Sequence, residues 1–169
     1  TGMSLGMSVV GFKRGYNGIL MRSEDHFDDY EELTARSVSG KIQHGGTFLM
    51  TARCQEFLDP AWQEKAIENL RSLGIEGLVC IGGDGTFRGA QALSKHGINV
   101  VAIPATIDND ICCTNYSIGF DTAANTAIEC IDRLRDTMQS HERCSVVEVM
   151  GRNAGFLAMY VGLAVGATA

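Results

Sequence analysis

The sequence predicts an α/β fold in which a parallel sheet is sandwiched between helices, and three observations carry that reading. Short apolar runs recur at Gly77–Ile81, Ile98–Ile103 and Ser145–Met150. Amphipathic stretches with helical spacing stand between them, and near-continuous apolar strands separated by such helices indicate a parallel sheet covered on both faces. Glycine, at 20 of 169 residues or about 12% against the usual ~7%, marks the junctions. It follows no G-x-y period and sits beside apolar runs in a chain that is 45% hydrophobic, so neither a collagen nor a flexible linker accounts for it.

Taken in order, Met7–Phe12 reads as a short strand, and Arg14-Gly15-Tyr16-Asn17-Gly18 as a turn by its glycines and Asn. Glu24 to Glu32 is an acidic surface stretch, and His44-Gly45-Gly46-Thr47 a second turn. Asp59 is placed to cap a helix whose first position is Pro60. Ala66, Ile67, Leu70 and Leu73 share one face of that helix, and Gly74 ends it. The strand Gly77–Ile81 runs into Gly82-Gly83-Asp84-Gly85-Thr86, after which Phe87–His96 is a helix closed by Gly97. Strand Ile98–Ile103 leads into a polar loop, Pro104–Phe120, with Asp121 as the expected cap of the next helix. That helix places Ala124, Ala127, Ile128, Ile131, Leu134 and Met138 at core spacing. Strand Ser145–Met150, a turn at Gly151-Arg152-Asn153 and a last helix complete the chain. Right-handed crossovers put the strand-to-helix loops at one edge of the sheet, where ligands of such folds bind.

Fourteen basic residues against twenty acidic ones give a net charge of −6, which supplies no electrostatic drive toward nucleic acid or an anionic membrane. Six cysteines without a C-x-x-C pair, mostly in apolar or helical stretches, are expected to be buried, reduced thiols of a cytoplasmic protein. The chain opens on Thr1 without a basic-then-apolar leader. Its last stretch, Ala154 to Ala169, is apolar nearly all round, too short for a comfortable membrane span, and is expected to be a buried helix cut off mid-way. Both ends suggest a fragment.

Three polar loops carry chemistry. In Gly82-Gly83-Asp84-Gly85-Thr86, glycines between strand and helix let backbone N–H groups approach phosphate oxygens, and Asp84 is placed for Mg²⁺ on a nucleotide. No Gly-Lys-Ser/Thr follows, so this is not a Walker A loop. Arg88 stands where a dinucleotide fingerprint needs its third glycine, with Gly89 one place late. A tight turn that happens to carry Asp is the alternative. In Thr106-Ile107-Asp108-Asn109-Asp110, one carboxylate can take a proton from an attacking hydroxyl while the other holds that base or a metal. An Asx-rich turn uses the same residue types. In Met150-Gly151-Arg152, the guanidinium fork suits a phosphate, and the alternative is a surface arginine beside a turn glycine. Together the loops supply the parts of phosphoryl transfer, where positioning and charge stabilisation dominate.

At this point the chain resembles the ATP-dependent 6-phosphofructokinases, through RGYNG, GGTFLMTAR, IGGDGT, PATIDNDI, YSIGFDTA, IDRLRDT and SVVEVMGRNAG in order. GGDGT alone is shared with NAD kinases and diacylglycerol kinases; TIDND together with VEVMGR decides. The resemblance implies a Rossmann-like αβα sandwich and a fragment of a two-domain subunit. Residues 1–120 would hold most of a nucleotide-binding domain and 121–169 the start of a sugar-phosphate-binding one. It implies phosphoryl transfer from MgATP to the 1-hydroxyl of fructose 6-phosphate in glycolysis, by a cytoplasmic, allosteric homotetramer. Tyr16, Arg53 and Cys54 match positions along the nucleotide, Arg53 also near the transferred phosphoryl. Gly83, Gly85, Thr86 and Gly89 match the ATP phosphate lining and Asp84 the Mg²⁺ carboxylate. Asp108 matches the base, with Thr106 and Asp110 at the reacting end of the sugar. Met150, Gly151 and Arg152 match sugar-phosphate and transition-state contacts, and Arg143 an arginine that reaches into a neighbouring subunit's sugar site.

The chain also departs from the pattern. The first glycine loop, G-G-D-x-P-G-x-N, and the later half with its further arginines and a histidine are missing, so the chain as given is expected to be an incomplete enzyme. Ala105 replaces the usual glycine. Pyrophosphate-using relatives carry Lys there and Asp at position 85, so Gly85 and Ala105 favour ATP. Ala35 stands where some bacterial members have an effector-site arginine, which takes that contact away from allosteric control. Other features read as structural. The acidic run from Glu24 is a solvated face, and His44, His96 and His141 lack ligand-spaced partners. Cys112-Cys113 is expected to be small buried filler rather than a redox handle, and Phe87 and Met159 to be core.

Overall fold

A computed structural model describes residues 1–23 and 29–168. The first part of the acidic run, 24–28, lies outside the described residues. The chain divides into two compact units, 1–78 with 89–100, and 79–88 with 101–168; the boundary runs through two strands and the helix between them.

In the first unit, strand β1 (Val10–Phe12) pairs antiparallel with β2 (Tyr30–Glu32), Phe12 opposite Tyr30 and Val10 opposite Glu32. The acidic run thus ends as a strand, and β1 belongs to a small ladder of its own rather than to the parallel sheet. The turn at Arg14 tightens into one helical turn, α1 (Tyr16–Ile19). Helix α2 (Pro60–Ser72) starts as its sequence predicts, with Asp59 Oδ1 accepting from the Ala61 N–H at 2.9 Å and Pro60 in the first turn. Its buried face, Ala66, Ile67 and Leu70, packs with Ile19, Leu20, Phe57, Leu93 and Ile98. Buried Asn69 donates from Nδ2 to the Ile19 carbonyl at 2.9 Å, which satisfies the end of α1.

Strands β3 (Gly77–Gly82) and β4 (Asn99–Pro104) form the parallel pair, connected by helix α3 (Asp84–Lys95). Helices α2 and α3 leave by the same device. Gly74 and Gly97 take left-handed φ of 67° and 85°. Their N–H groups reach Arg71 O and Ser94 O at 3.0 Å, and the next residues, Ile75 and Ile98, reach Leu70 O and Leu93 O. The carbonyls that receive the second bond belong to two of the most buried side chains of the core, so each cap is also a packing contact.

In the second unit, helices α4 (Phe120–Ser140) and α5 (Phe156–Ala164) pack through Phe120, Ala124, Leu157, Val161 and Val165, with Ala127, Ile128 and Ile131 against them. Gly119, in the left-handed region, caps α4; Asp121 lies inside the first turn, where its charge suits the helix dipole, so the expected cap is two residues late. Leu134 of the expected stripe is exposed.

Several expectations fail for one reason, the lack of a covering neighbour among the described residues. Ser145–Met150 forms no ladder and is not a strand; Val146 is 96% exposed. Val79, Ile81 and Val101 of the parallel pair are open at 59%, 62% and 62%. Phe87 is half-buried and Met159 lies 60% exposed on α5. Of the cysteines, all free thiols, Cys80 is buried and Cys54 half-buried, whereas Cys112, Cys113, Cys130 and Cys144 are exposed. The buried-filler reading of Cys112-Cys113 is therefore wrong. No helix of the described residues is long and apolar enough to cross a membrane.

Replacing Asp59 by Ala removes the α2 cap and should lower the unfolding free energy by about 1 kcal/mol. Leu70→Ala should cost about 2–5 kcal/mol. Both are read as a lower denaturant midpoint at unchanged slope.

Candidate active site

Within the second unit the first two loops lie side by side. At the last residue of β3, the Gly82 carbonyl accepts from the Ala105 N–H at 2.9 Å, which carries the pairing one residue past β4 to the start of its loop. A Cβ on Gly82 would run into the Thr86 side chain, so glycine is required there by packing, and one on Gly83 would come within 3.3 Å of Thr106 Cβ, a tight contact. Gly85 faces open space. Helix α3 begins directly at Asp84, so its first N–H groups are presented at the glycine turn. Asp84 is held by Arg88 one turn on, Nε lying 3.2 Å from Oδ1 and 3.1 Å from Oδ2.

The carboxylate loop is pinned at its neck. Ala105 bridges Ile118 in parallel, and the Ile118 N–H donates to the Pro104 carbonyl at 3.0 Å. Buried Ser117 donates from Oγ to the Thr106 carbonyl at 2.6 Å, and its N–H donates to Asn109 Oδ1 at 2.9 Å. Asn109 takes a left-handed φ of 51°, a conformation Asn tolerates, and donates from Nδ2 to the Asn115 carbonyl at 3.1 Å. Thr106 Oγ1 accepts from the Asp108 N–H at 3.2 Å. Asn109, between the two aspartates, is thus the structural residue, and the carboxylates of half-buried Asp108 and Asp110 make no hydrogen bond among the described residues. The turn chemistry of this loop thus rests on Thr106 and Asn109.

Met150, Gly151 and Arg152 belong to the same unit, though no hydrogen bond or ion pair among the described residues ties them to these loops. They do not follow a strand, Gly151 is buried, and Met150 and Arg152 are exposed. Arg143 is exposed just past α4, whose end repeats the two-bond cap with Glu142 rather than Gly at φ 51°.

Within the first unit, Tyr16 stacks on Phe57 at 4.2 Å between ring centroids. A Cβ on Gly89 would meet the Tyr16 ring at 2.5 Å, so glycine is required there by the ring. Asn17 Nδ2 donates to the Arg53 carbonyl at 3.3 Å, and the Arg53 side chain is exposed. Cys54 Sγ lies 3.8 Å from Glu56 Oε2, and burial pushes its thiol pKa up. Glu56 is held below the usual carboxylate range by its own backbone N–H and then by Arg22, 3.2 Å away. Tyr16, Cys54 and Gly89 are therefore neighbours of one core, whereas residue spacing alone showed only a turn, an apolar stretch and a helix.

Residues that sequence reasoning missed are Asn17, Arg88, Asn109 and Ser117. Asn109 carried a signal, being the one Asx of Thr106–Asp110 with an amide able to both donate and accept.

These features define an α/β protein whose strand-end loops juxtapose a glycine turn at a helix start with a pair of unpartnered carboxylates. Comparison with known proteins makes the class specific. The family model described as Phosphofructokinase matches residues 1–169, and the chain belongs to the phosphofructokinase family. It is 54% identical over 167 residues to an ATP-dependent 6-phosphofructokinase of Clostridium botulinum, and over 168 residues to one of Thermoanaerobacter sp.. In both cases 99% of the chain is covered and 50% of the relative, so the chain spans about half the length of the curated relatives it matches. Among solved structures it superposes on phosphofructokinase from Saccharomyces cerevisiae with a TM-score of 0.84 at 32% identity, covering 98% of this chain and 25% of that one. A pyrophosphate-dependent phosphofructokinase from Marinobacter aquaeolei, at TM-score 0.69 and 23% identity over 93% of this chain and 41% of that one, shares the fold.

Ser117→Ala strands the Thr106 carbonyl and should cost about 1–3 kcal/mol. Amide hydrogen exchange should localise the loss to residues 105–118, with α2 unchanged.

Proposed function

We propose that the protein to which this chain contributes transfers the γ-phosphoryl group of ATP to the 1-hydroxyl of D-fructose 6-phosphate. The observation that carries this reading is the Gly82–Ala105 backbone bond, which sets the glycine turn and the carboxylate pair edge to edge in a chain 54% identical to ATP-dependent 6-phosphofructokinases. On this reading residues 1–120 supply most of the nucleotide-binding part and 121–169 the start of the sugar-phosphate-binding part. The enzyme is a cytoplasmic one of glycolysis, and Arg143 serves the sugar site of a neighbouring subunit in a homotetramer.

Asp108 is the base. As the sugar oxygen attacks the γ-phosphorus and the bond to the β-phosphate oxygen breaks, the hydroxyl proton passes to its carboxylate and ADP leaves. Its unpartnered oxygens support this role, since a carboxylate already held by donors would be a weaker base. Thr106 and Asp110 orient the sugar and that base, and Met150, Gly151 and exposed Arg152 hold the sugar and the charge developing on the phosphoryl group. Gly83, Gly85 and Thr86 receive the phosphates at the start of α3, and Tyr16, Arg53, Cys54 and Gly89 take the nucleotide.

Mg²⁺ fits Asp84. A single hard carboxylate at a helix start suits an ion that keeps most of its ligands as water and substrate phosphate. When bound, the ion neutralises phosphate charge. ATP rather than pyrophosphate is favoured because position 85 carries no side chain and faces open space.

Asp108→Ala in the full-length protein should lower kcat by ~10²–10⁴ with little change in the KM for ATP. Full turnover in that variant, or turnover of NAD in place of fructose 6-phosphate, would overturn the assignment.

A further inference from the structure

The turn that follows the carboxylate pair ends in two adjacent thiols. Cys112 and Cys113 are its two central residues, both exposed and both free, and Cys113 takes a left-handed φ of 65°. The turn stands on a fixed base, because Asn109 donates to the Asn115 carbonyl and accepts from the Ser117 N–H. Neither thiol has a hydrogen-bond partner among the described residues. Elsewhere Cys54 is half-buried beside Glu56, Cys80 is buried, and the exposed Cys130 and Cys144 are isolated in sequence.

Geometry decides which chemistry suits such a pair. Neighbouring Cα atoms are about 3.8 Å apart, well short of the ~5.5 Å favoured across a disulfide. A direct S–S bond here is strained, whereas one larger soft atom inserted between the sulfurs relieves that strain. Thiolates prefer soft centres, and the oxygen donors nearby in sequence, Asp108 and Asp110, add no further soft ligand. Two thiols on one turn also act as a chelate, since the second bond forms intramolecularly at high effective concentration.

We propose that Cys112-Cys113 is a vicinal-dithiol capture site for trivalent arsenicals of the class R–As=O. Two S–H bonds and the As=O bond break, two As–S bonds form, and the two protons leave with the oxide oxygen as one water. Arsenic stays trivalent throughout, so no oxidant or reductant is needed. Ring closure fixes the tip of the turn two residues beyond Asp110. The site does not depend on the phosphoryl-transfer reading, and its test is a thiol count rather than a rate.

The full-length native protein is treated with a slight excess of phenylarsine oxide, then with excess 2-mercaptoethanol, and examined by intact mass and free-thiol titration. One phenylarsine group per chain should survive the monothiol, with the loss of two titratable thiols, and 2,3-dimercaptopropanol should remove it. Cys112→Ser and Cys113→Ser should each abolish the monothiol-resistant adduct, while a Cys130→Ser/Cys144→Ser double variant should keep it. An adduct that the monothiol strips completely, or one that persists in Cys112→Ser, overturns the proposal.

Discussion

The candidate site depends on one backbone hydrogen bond, from the Ala105 N–H to the Gly82 carbonyl. Parallel strands leave their loops at the same edge, but loops of different length would ordinarily diverge there. Here the last residue of β3 pairs with the first residue after β4, so the glycine turn and the carboxylate loop start in contact. Gly82 must lack a side chain because Thr86 occupies that space, and Gly83 packs closely against Thr106. The same constraint therefore ties backbone, glycine and hydroxyl side chains into one edge. What remains free at that edge is Gly85 and the carboxylates of Asp108 and Asp110, the groups a substrate would meet.

Much of this was legible in the sequence because it rests on local chemistry. Asp59-Pro60 announces a helix start through its own side-chain oxygen and fixed φ. Gly74 and Gly97 announce helix ends through a conformation other residues resist. The β3–α3–β4 unit follows from apolar runs of strand length around an amphipathic helix. The glycine turn and TIDND stood out for the same reason, as polar residues placed where strands stop.

What the sequence did not disclose depends on neighbours rather than on local preference. Ser145–Met150 has the composition of a strand, yet strand structure exists only when another strand supplies the ladder, and none of the described residues does. Tyr30–Glu32, polar and acidic, pairs because β1 offers an edge. Met159 and the cysteines at 112 and 113 are apolar by type but are left exposed among the described residues. The pinning of the carboxylate loop was hidden in a different way: Asn109 and Ser117 are eight positions apart, and only the closed loop brings them together.

The paired caps on α2 and α3 have a consequence for how this chain can change over evolution. Each cap fuses two requirements at one place, because the carbonyl that closes the helix belongs to the leucine that anchors it in the core. Inserting one residue into either helix rotates everything beyond it by about 100°, which swings Leu70 or Leu93 out of the core and carries its glycine exit away. Length variation in these helices is therefore open only in steps near whole turns, while the exposed turn at 112–113, clamped beneath by Asn109, is free to differ between relatives in both length and chemistry.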